Sequence, residues 1–231
     1  SIYLVNESSQ LTKVNFKVKN EDLNTTIKDI INKLTIGGDS TVPDGLYGLI
    51  PKNIELIDVN VDENIAYLNF SKGFLDIDHQ EIEKIVESIS FSILELDGVN
   101  GVVIYVEGDN ISRLFPKNIP DIITKEYGIN KRIELKNFID ISKIVIYYIS
   151  NIDDNTYYVP ITKYVNDKRE KVKIIIDELS SNYIFEPNLI SLLDKNIELI
   201  SYEIKNDSMI LNFNNSIFMD KDSILEEVVY S

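Results

Sequence analysis

The densest acidic cluster within residues 1–108 is Asp76, Asp78, Glu81 and Glu83, with His79 among them. Carboxylates this close could supply oxygen ligands to a calcium ion. A pair of them about 5–10 Å apart could instead act as catalytic acid and base. The same residues also have a purely local use. Ile82, Ile85, Val86, Ile89, Ile93 and Leu96 recur at helical spacing, which predicts a long helix from near Asp78. Asp78 then caps that helix, Glu81 stands three residues on as in a capping box, and negative charge suits the positive end of the helix dipole. Before a second predicted helix stand Asp220, Asp222 and Ser223-x-x-Glu226, with different spacing. Capping needs only the acidity that the two places share, so capping is the preferred reading.

Other chemistry is bounded by what the chain lacks. His79 is the sole histidine and there is no cysteine. Histidine triads, multi-histidine metal sites, thiol nucleophiles, thiolate metal sites and disulfides are therefore excluded within this sequence. No Walker loop, dinucleotide fingerprint, Gly-x-Ser-x-Gly or His-Glu-x-x-His is present. No catalytic residue, cofactor site or metal site is assigned. The glycine-bearing loop from Gly37 to Pro51 could cradle a phosphate, but its glycines do not lead into a helix and Asp39 and Asp44 would repel an anion. Tyrosines are abundant, with Tyr147-Tyr148 and Tyr157-Tyr158 clustered on predicted strands. Strand tyrosines usually pack a sheet, and they also suit a protein interface; these four are the interface candidates.

The formal net charge is −15. Such a surface repels phosphate backbones and anionic headgroups and favours a cationic partner. Arg113, Arg132 and Arg169 are scattered and no basic patch forms, so no nucleic-acid partner is expected. No apolar run approaches the roughly 18–20 residues that a membrane helix needs.

The elements that carry these residues occur twice. Lys-Asn-Ile-Glu-Leu-Ile stands at 52–57 and at 195–200, and Leu-Asn-Phe follows at 68–70 and 211–213, so both words repeat at an offset of 143. Leu225, Val228 and Val229 lie at the same offset from Ile82, Ile85 and Val86. This is an internal duplication. The first module reads as a strand at 2–5 and a second at 13–18 with Val14, Phe16 and Val18 on one face. A helix follows with the stripe Ile27, Ile30, Ile31 and Leu34, capped by Asn24 and stopped by Gly37-Gly38. Strands at 55–61 and 65–70, the long helix and a strand at 102–106 complete it. The second module repeats this order: strands at 144–149 and 157–161, a helix with Val172, Ile175, Ile176 and Leu179, strands at 198–204 and 209–213, and the helix beginning at Leu225.

The fold class is therefore α+β: two tandem duplicated modules, each a small antiparallel or mixed sheet packed by two helices. They span 1–108 and 144–231. The connector, 109–143, is apolar enough to be packed, with one short helix between its prolines, Pro116 and Pro120, and Gly128. Ser231 corresponds to Ser88, so the second module is expected to lack half a helix and its last strand. All nine glycines lie at or before Gly128. Turns in the second module therefore fall to Asn and Asp, as at Asn206-Asp207.

The stretch Leu-Ile-Pro-Lys-Asn-Ile-Glu-Leu-Ile (49–57), the strand end Ala-Tyr-Leu-Asn-Phe-Ser (66–71) and the closing Val-Val-Ile-Tyr-Val-Glu-Gly (102–108) resemble the GerMN-domain family. Two such domains stand in tandem here, with Asp194 where the first has Pro51 and without the glycine loop in the second. The resemblance implies modules similar to ring-building motifs and a non-enzymatic sporulation or spore germination protein, a scaffold or assembly component of an extracytoplasmic complex between mother cell and forespore. It also implies protein partners in a sporulation channel complex, leaves homo-oligomers open, and places the protein as a lipoprotein facing the intermembrane space. Its lipid-bearing cysteine would lie upstream of Ser1. The alternative that the residues leave open is an extracytoplasmic cell-wall-acting enzyme or ligand-binding protein that uses Asp76, Asp78, Glu81 and Glu83.

Overall fold

The computed structural model describes residues 1–16, 22–115, 118–181, 186, 188–206 and 208–218. Two compact units form: residues 1–130 together with 152–157, and residues 131–151 together with those from 158 onward.

In the first unit, Ile2–Asn6 (β1) and Leu11–Val14 (β2) pair antiparallel. β1 is buried on both faces, with Ile2 and Leu4 in the main core and Tyr3 in a smaller cluster with Leu11, Phe91 and Ile129. Helix Leu23–Leu34 (α1) buries Ile27, Ile30, Ile31 and Leu34, as their spacing predicts. Its cap is Asp22, not Asn24: the Asp22 carboxylate accepts from the N–H of Thr25 at 3.0 Å and from its hydroxyl at 2.6 Å. The helix also ends before the glycine pair. Thr35 is already extended and bridges Ile50, so a strand-like contact stops the helix and Gly37 turns the chain afterwards. Val18 lies outside the described residues.

Leu46–Tyr47 (β3) pairs with β1. A four-stranded sheet then runs in the order Leu56–Asp62 (β4), Ile65–Phe70 (β5), Gly101–Val106 (β6) and Asp109–Asn110 (β7). β5 and β6 are parallel, and helix Ile82–Ile93 (α2) makes the crossover that parallel neighbours require. Ile82, Ile85, Val86, Ile89 and Ile93 face the main core. The opposite side of α2 is buried as well: Phe91 stacks edge-on against Tyr3 at 6.0 Å. There Ser88 donates to the carbonyl of Tyr3 at 2.7 Å, and the N–H of Tyr3 donates to Ser92 at 2.8 Å. The helix serines thus satisfy main-chain groups that β1 does not spend on a strand.

The capping box at Asp78 does not form. Asp78 accepts from the N–H of Gln80 at 2.7 Å in a turn ahead of the helix, and α2 begins after Glu81, whose side chain makes no cap bond. The connector carries two short helical turns instead of one: Ile111–Leu114 (α3), capped by Asn110, and a 3-10 turn at Lys125–Tyr127. Asn130 binds the strand edge by donating to the carbonyl of Leu11 at 2.8 Å and accepting its N–H at 2.9 Å.

In the second unit, Arg132–Glu134 (β8) runs parallel to Asn155–Asn166 (β10), which also pairs Ile141–Ile152 (β9). The tip of this hairpin, residues 152–157, belongs to the first unit, where Ile152 and Tyr157 pack on the core. Helix Lys171–Leu179 (α4) buries Ile174, Ile176 and Leu179, so Ile174 takes the deep place expected of Ile175. Leu199–Lys205 (β11) and Ser208–Phe213 (β12) form an antiparallel hairpin. The helix predicted from Leu225, Val228 and Val229 lies outside the described residues, as do Asp207, Asp220, Asp222, Ser223 and Glu226.

Two-residue turns close three of the hairpins with both residues at positive φ: Glu63-Asn64 (45° and 64°), Glu107-Gly108 (51° and 90°) and Asp153-Asp154 (46° and 60°). These are the turns whose twist matches paired strands. Only one of the three uses glycine. At Gly48 the demand is steric: a Cβ there would stand 2.5 Å from the carbonyl oxygen of Leu34. Its counterpart in the second unit, Ser191, spends its hydroxyl on the carbonyl of Leu179.

Candidate functional site

The four clustered carboxylates do not converge. Asp76, Asp78 and Glu81 are exposed and Glu83 is half-buried at the surface of the helix start. Among the described residues, no three Asp, Glu or His side chains are grouped so as to hold a metal ion. His79 lies exposed with its ring edge-on to Phe115 at 5.6 Å. The enzyme alternative thereby loses the cleft of facing carboxylates that it requires. In the glycine loop, Asp39 pairs with Lys33 and accepts from the N–H of Thr41 at 2.8 Å. The lysine hydrogen bond, then the two bonds from Thr41, hold Asp39 down at about 2. A loop with its own carboxylate fixed in this way is poorly suited to a phosphate.

The tyrosine candidates divide. Tyr148 is buried in the core of the second unit, where burial pushes its phenol up. Tyr147 and Tyr158 are half-buried in the second unit, and Tyr157 packs against the core of the first. Packing accounts for Tyr148 and Tyr157.

One charged cluster in the second unit was not anticipated from sequence. Lys163, on β10, is buried with its ammonium 2.5 Å from Glu178 and 3.2 Å from Glu134. Burial opposes its charge, but Glu178 and then Glu134 outweigh that and hold the ammonium above its usual range. Beside it lies a hollow of about 340 Å³ lined by Asp167, Arg169 and Asp177. Arg169 clasps Asp167 at 2.7 Å and Asp177 at 2.6 Å. The ion pairs fasten α4 to β8 and β10 and leave the hollow with little unspent charge.

A different surface emerges on the sheet of the first unit. Ala66, Leu68 and Phe70 of β5 point into the core, so Tyr67 and Asn69 point out. Register places Asn60 beside Tyr67, and Asp58, Asn69 and Tyr105 in one row across β4, β5 and β6. Two adjoining hollows of about 220 and 410 Å³ share Tyr67, Tyr105 and Gly108. Asp109, Arg113, Asp121 and Ile122 complete the second hollow. Alternation along each strand marks these positions as outward-facing. What is not local is the concavity, because it is assembled from β4, β5, β6 and the connector.

The class defined by this architecture is a tandem pair of small α+β domains with a shared hairpin register and no grouped catalytic side chains among the described residues. Residues 1–112 match the family model described as Germane, sporulation and spore germination. The chain is 24% identical over 233 residues to "Spore germination protein GerM" of Bacillus subtilis (strain 168), an alignment that takes in 96% of this chain. It spans 62% of the length of that relative. The solved tandem GerMN domains of the sporulation protein GerM from Bacillus subtilis share the fold at a TM-score of 0.82, with 21% identity over 94% of this chain and 79% of that one. The first unit thus matches the Germane family model, and the chain as a whole shares the fold of tandem GerMN domains.

Proposed function

We propose that the protein is a non-enzymatic scaffold or assembly component of a sporulation envelope complex, working outside the cytoplasm between mother cell and forespore. Its partners in this reading are proteins of the channel complex, and its membrane attachment is a lipid anchor upstream of Ser1. The observation that carries the reading is the tandem GerMN fold, shared along 94% of the chain with a sporulation protein. The dispersal of Asp76, Asp78, Glu81 and Glu83 over an exposed helix start supports it. Crosslinking and affinity purification of the full-length protein from sporulating and vegetative cells tests it. Recovery of envelope proteins from sporulating cells alone is the expected result. Recovery of bound glycan or small molecule with no protein would overturn it.

A further inference from the structure

The two hollows on the outer sheet face of the first domain hold more unspent polar capacity than a bare sheet surface needs. Asp58, Asn60, Tyr67, Tyr105, Asp109 and Arg113 line them, and no side-chain hydrogen bond or ion pair engages these groups among the described residues. Neighbouring groups are already engaged: Asn69 accepts from the N–H of Gly108 at 3.0 Å, and Asp121 accepts from Ser112. Tyr67 and Tyr105 are both half-buried and line both hollows, so each brings an apolar ring and a polar hydroxyl to the groove.

We propose that this groove docks a basic peptide segment of a protein partner, with a lysine or arginine side chain laid against Tyr67 and Tyr105 and paired with Asp58. The charge argues for this occupant. Asp58, Asp109 and Asp121 outnumber the single cation, Arg113, in a chain of formal net charge −15. Tyrosine faces attract cations, and a carboxylate beside them supplies a charge-assisted bond. The strand positions that line the groove differ between the two domains. At the corresponding positions the second domain has Ser201, Glu203 and Ile210 for Asp58, Asn60 and Tyr67. The proposal rests on this local chemistry and not on the sporulation reading.

The test uses the whole chain, isotope-labelled, and three capped nonapeptides with lysine, glutamine or glutamate at every second position. The lysine peptide should give saturable amide shifts at residues 58–60, 67–69 and 103–105, and the other two should not. Tyr67→Thr with Tyr105→Thr should weaken binding at least about tenfold, and Asp58→Asn about fivefold. If the double variant unfolds, Asp58→Asn and a salt titration still decide, because the lysine-peptide affinity must fall in both. Equal shifts with the glutamine peptide would overturn the proposal. So would lysine-peptide shifts spread over acidic residues elsewhere and indifferent to the variants. Saturable binding of an N-acetylglucosamine oligomer in place of the peptide would make the groove a glycan platform and overturn it too.

Discussion

The hairpins β4–β5 and β11–β12 are the same object in two settings. In the first, Leu56 pairs with Phe70 and Asp58 with Asn69; in the second, Leu199 pairs with Phe213 and Ser201 with Asn212. Both break register at the same place, between Leu56 and Asp58 and between Leu199 and Ser201. Even the closing bonds agree: the N–H of Glu55 donates to Ser71 at 3.0 Å and that of Glu198 to Asn214 at 3.3 Å. Burial does not agree. Ala66, Leu68 and Phe70 are fully buried beneath α2, whereas Met209 is 47% exposed and Leu211 and Phe213 are only half-buried. Local sequence therefore dictates pairing and bulge, while burial differs between the two hairpins. β5 pairs β6 on its second edge; β12 pairs β11 alone among the described residues.

The largest expected contrast lies in the shared word Leu-Asn-Phe. Phe70→Ala should cost about 3–5 kcal/mol, since it empties a packed core beside Phe74, whose ring is 5.1 Å away. Phe213→Ala should cost about 1–2 kcal/mol, because less surface leaves water there. Urea unfolding read by residue-resolved hydrogen exchange separates the two units. Equal losses would show that β12 is as well covered as β5.

A reciprocal exchange sharpens the same point. Ala66 is the only alanine of the chain and is fully buried; Met209 is its exposed counterpart. Ala66→Met should destabilise by about 1–3 kcal/mol through overpacking. Met209→Ala should stay within about 0.5 kcal/mol, as surface changes do. A thermal shift of similar size for both would break the comparison.

The closing bonds predict a smaller difference. Asn214 also donates to the carbonyl of Asn196 at 2.8 Å, a bond without a counterpart at Ser71. Asn214→Ala should therefore cost about 1 kcal/mol more than Ser71→Ala at most, because both sites are wet. The midpoint of denaturant unfolding measures this.

The smallest effect is acid-dependent. The folded Asp39 carboxyl is lowered to about 2 from 3.8, so its contribution is present above about pH 4 and is lost as pH falls through about 2. Screening in this surface loop keeps that contribution under about 1 kcal/mol. Asp39→Asn should flatten the stability of the first unit between pH 4 and 2. An unchanged acid slope would mean that the Lys33 pair contributes nothing.

Much of this was legible in the chain. Repeated words at one offset located both hairpins, and 3.6-residue spacing found α1, α2 and α4. What failed was decided across the fold. Asn24 looked like a cap, but the aspartate two residues earlier reached Thr25. Gly37-Gly38 looked like a stop, but the bridge from Thr35 to Ile50 had already ended the helix. Ser88 and Ser92 serve the main chain of Tyr3, distant in sequence, and no local pattern announces that role. Glycine content was a poor guide to turns, since Glu63-Asn64 makes the same turn as Glu107-Gly108. The groove is illegible for a related reason: its walls come from three strands and the connector, and period-two alternation reports only that each faces outward.

The central proposal is that the chain binds protein through a face of the first domain whose Asp58, Asn60 and Tyr67 are replaced by Ser201, Glu203 and Ile210 in the second. A photo-crosslinking residue placed at position 67, or at the register-equivalent position 210, tests it in sporulating cells. The account predicts a discrete protein adduct from position 67 that is absent from vegetative cells, and none from position 210. An adduct from 210 alone, or none from either position while the protein is present and folded, would contradict it.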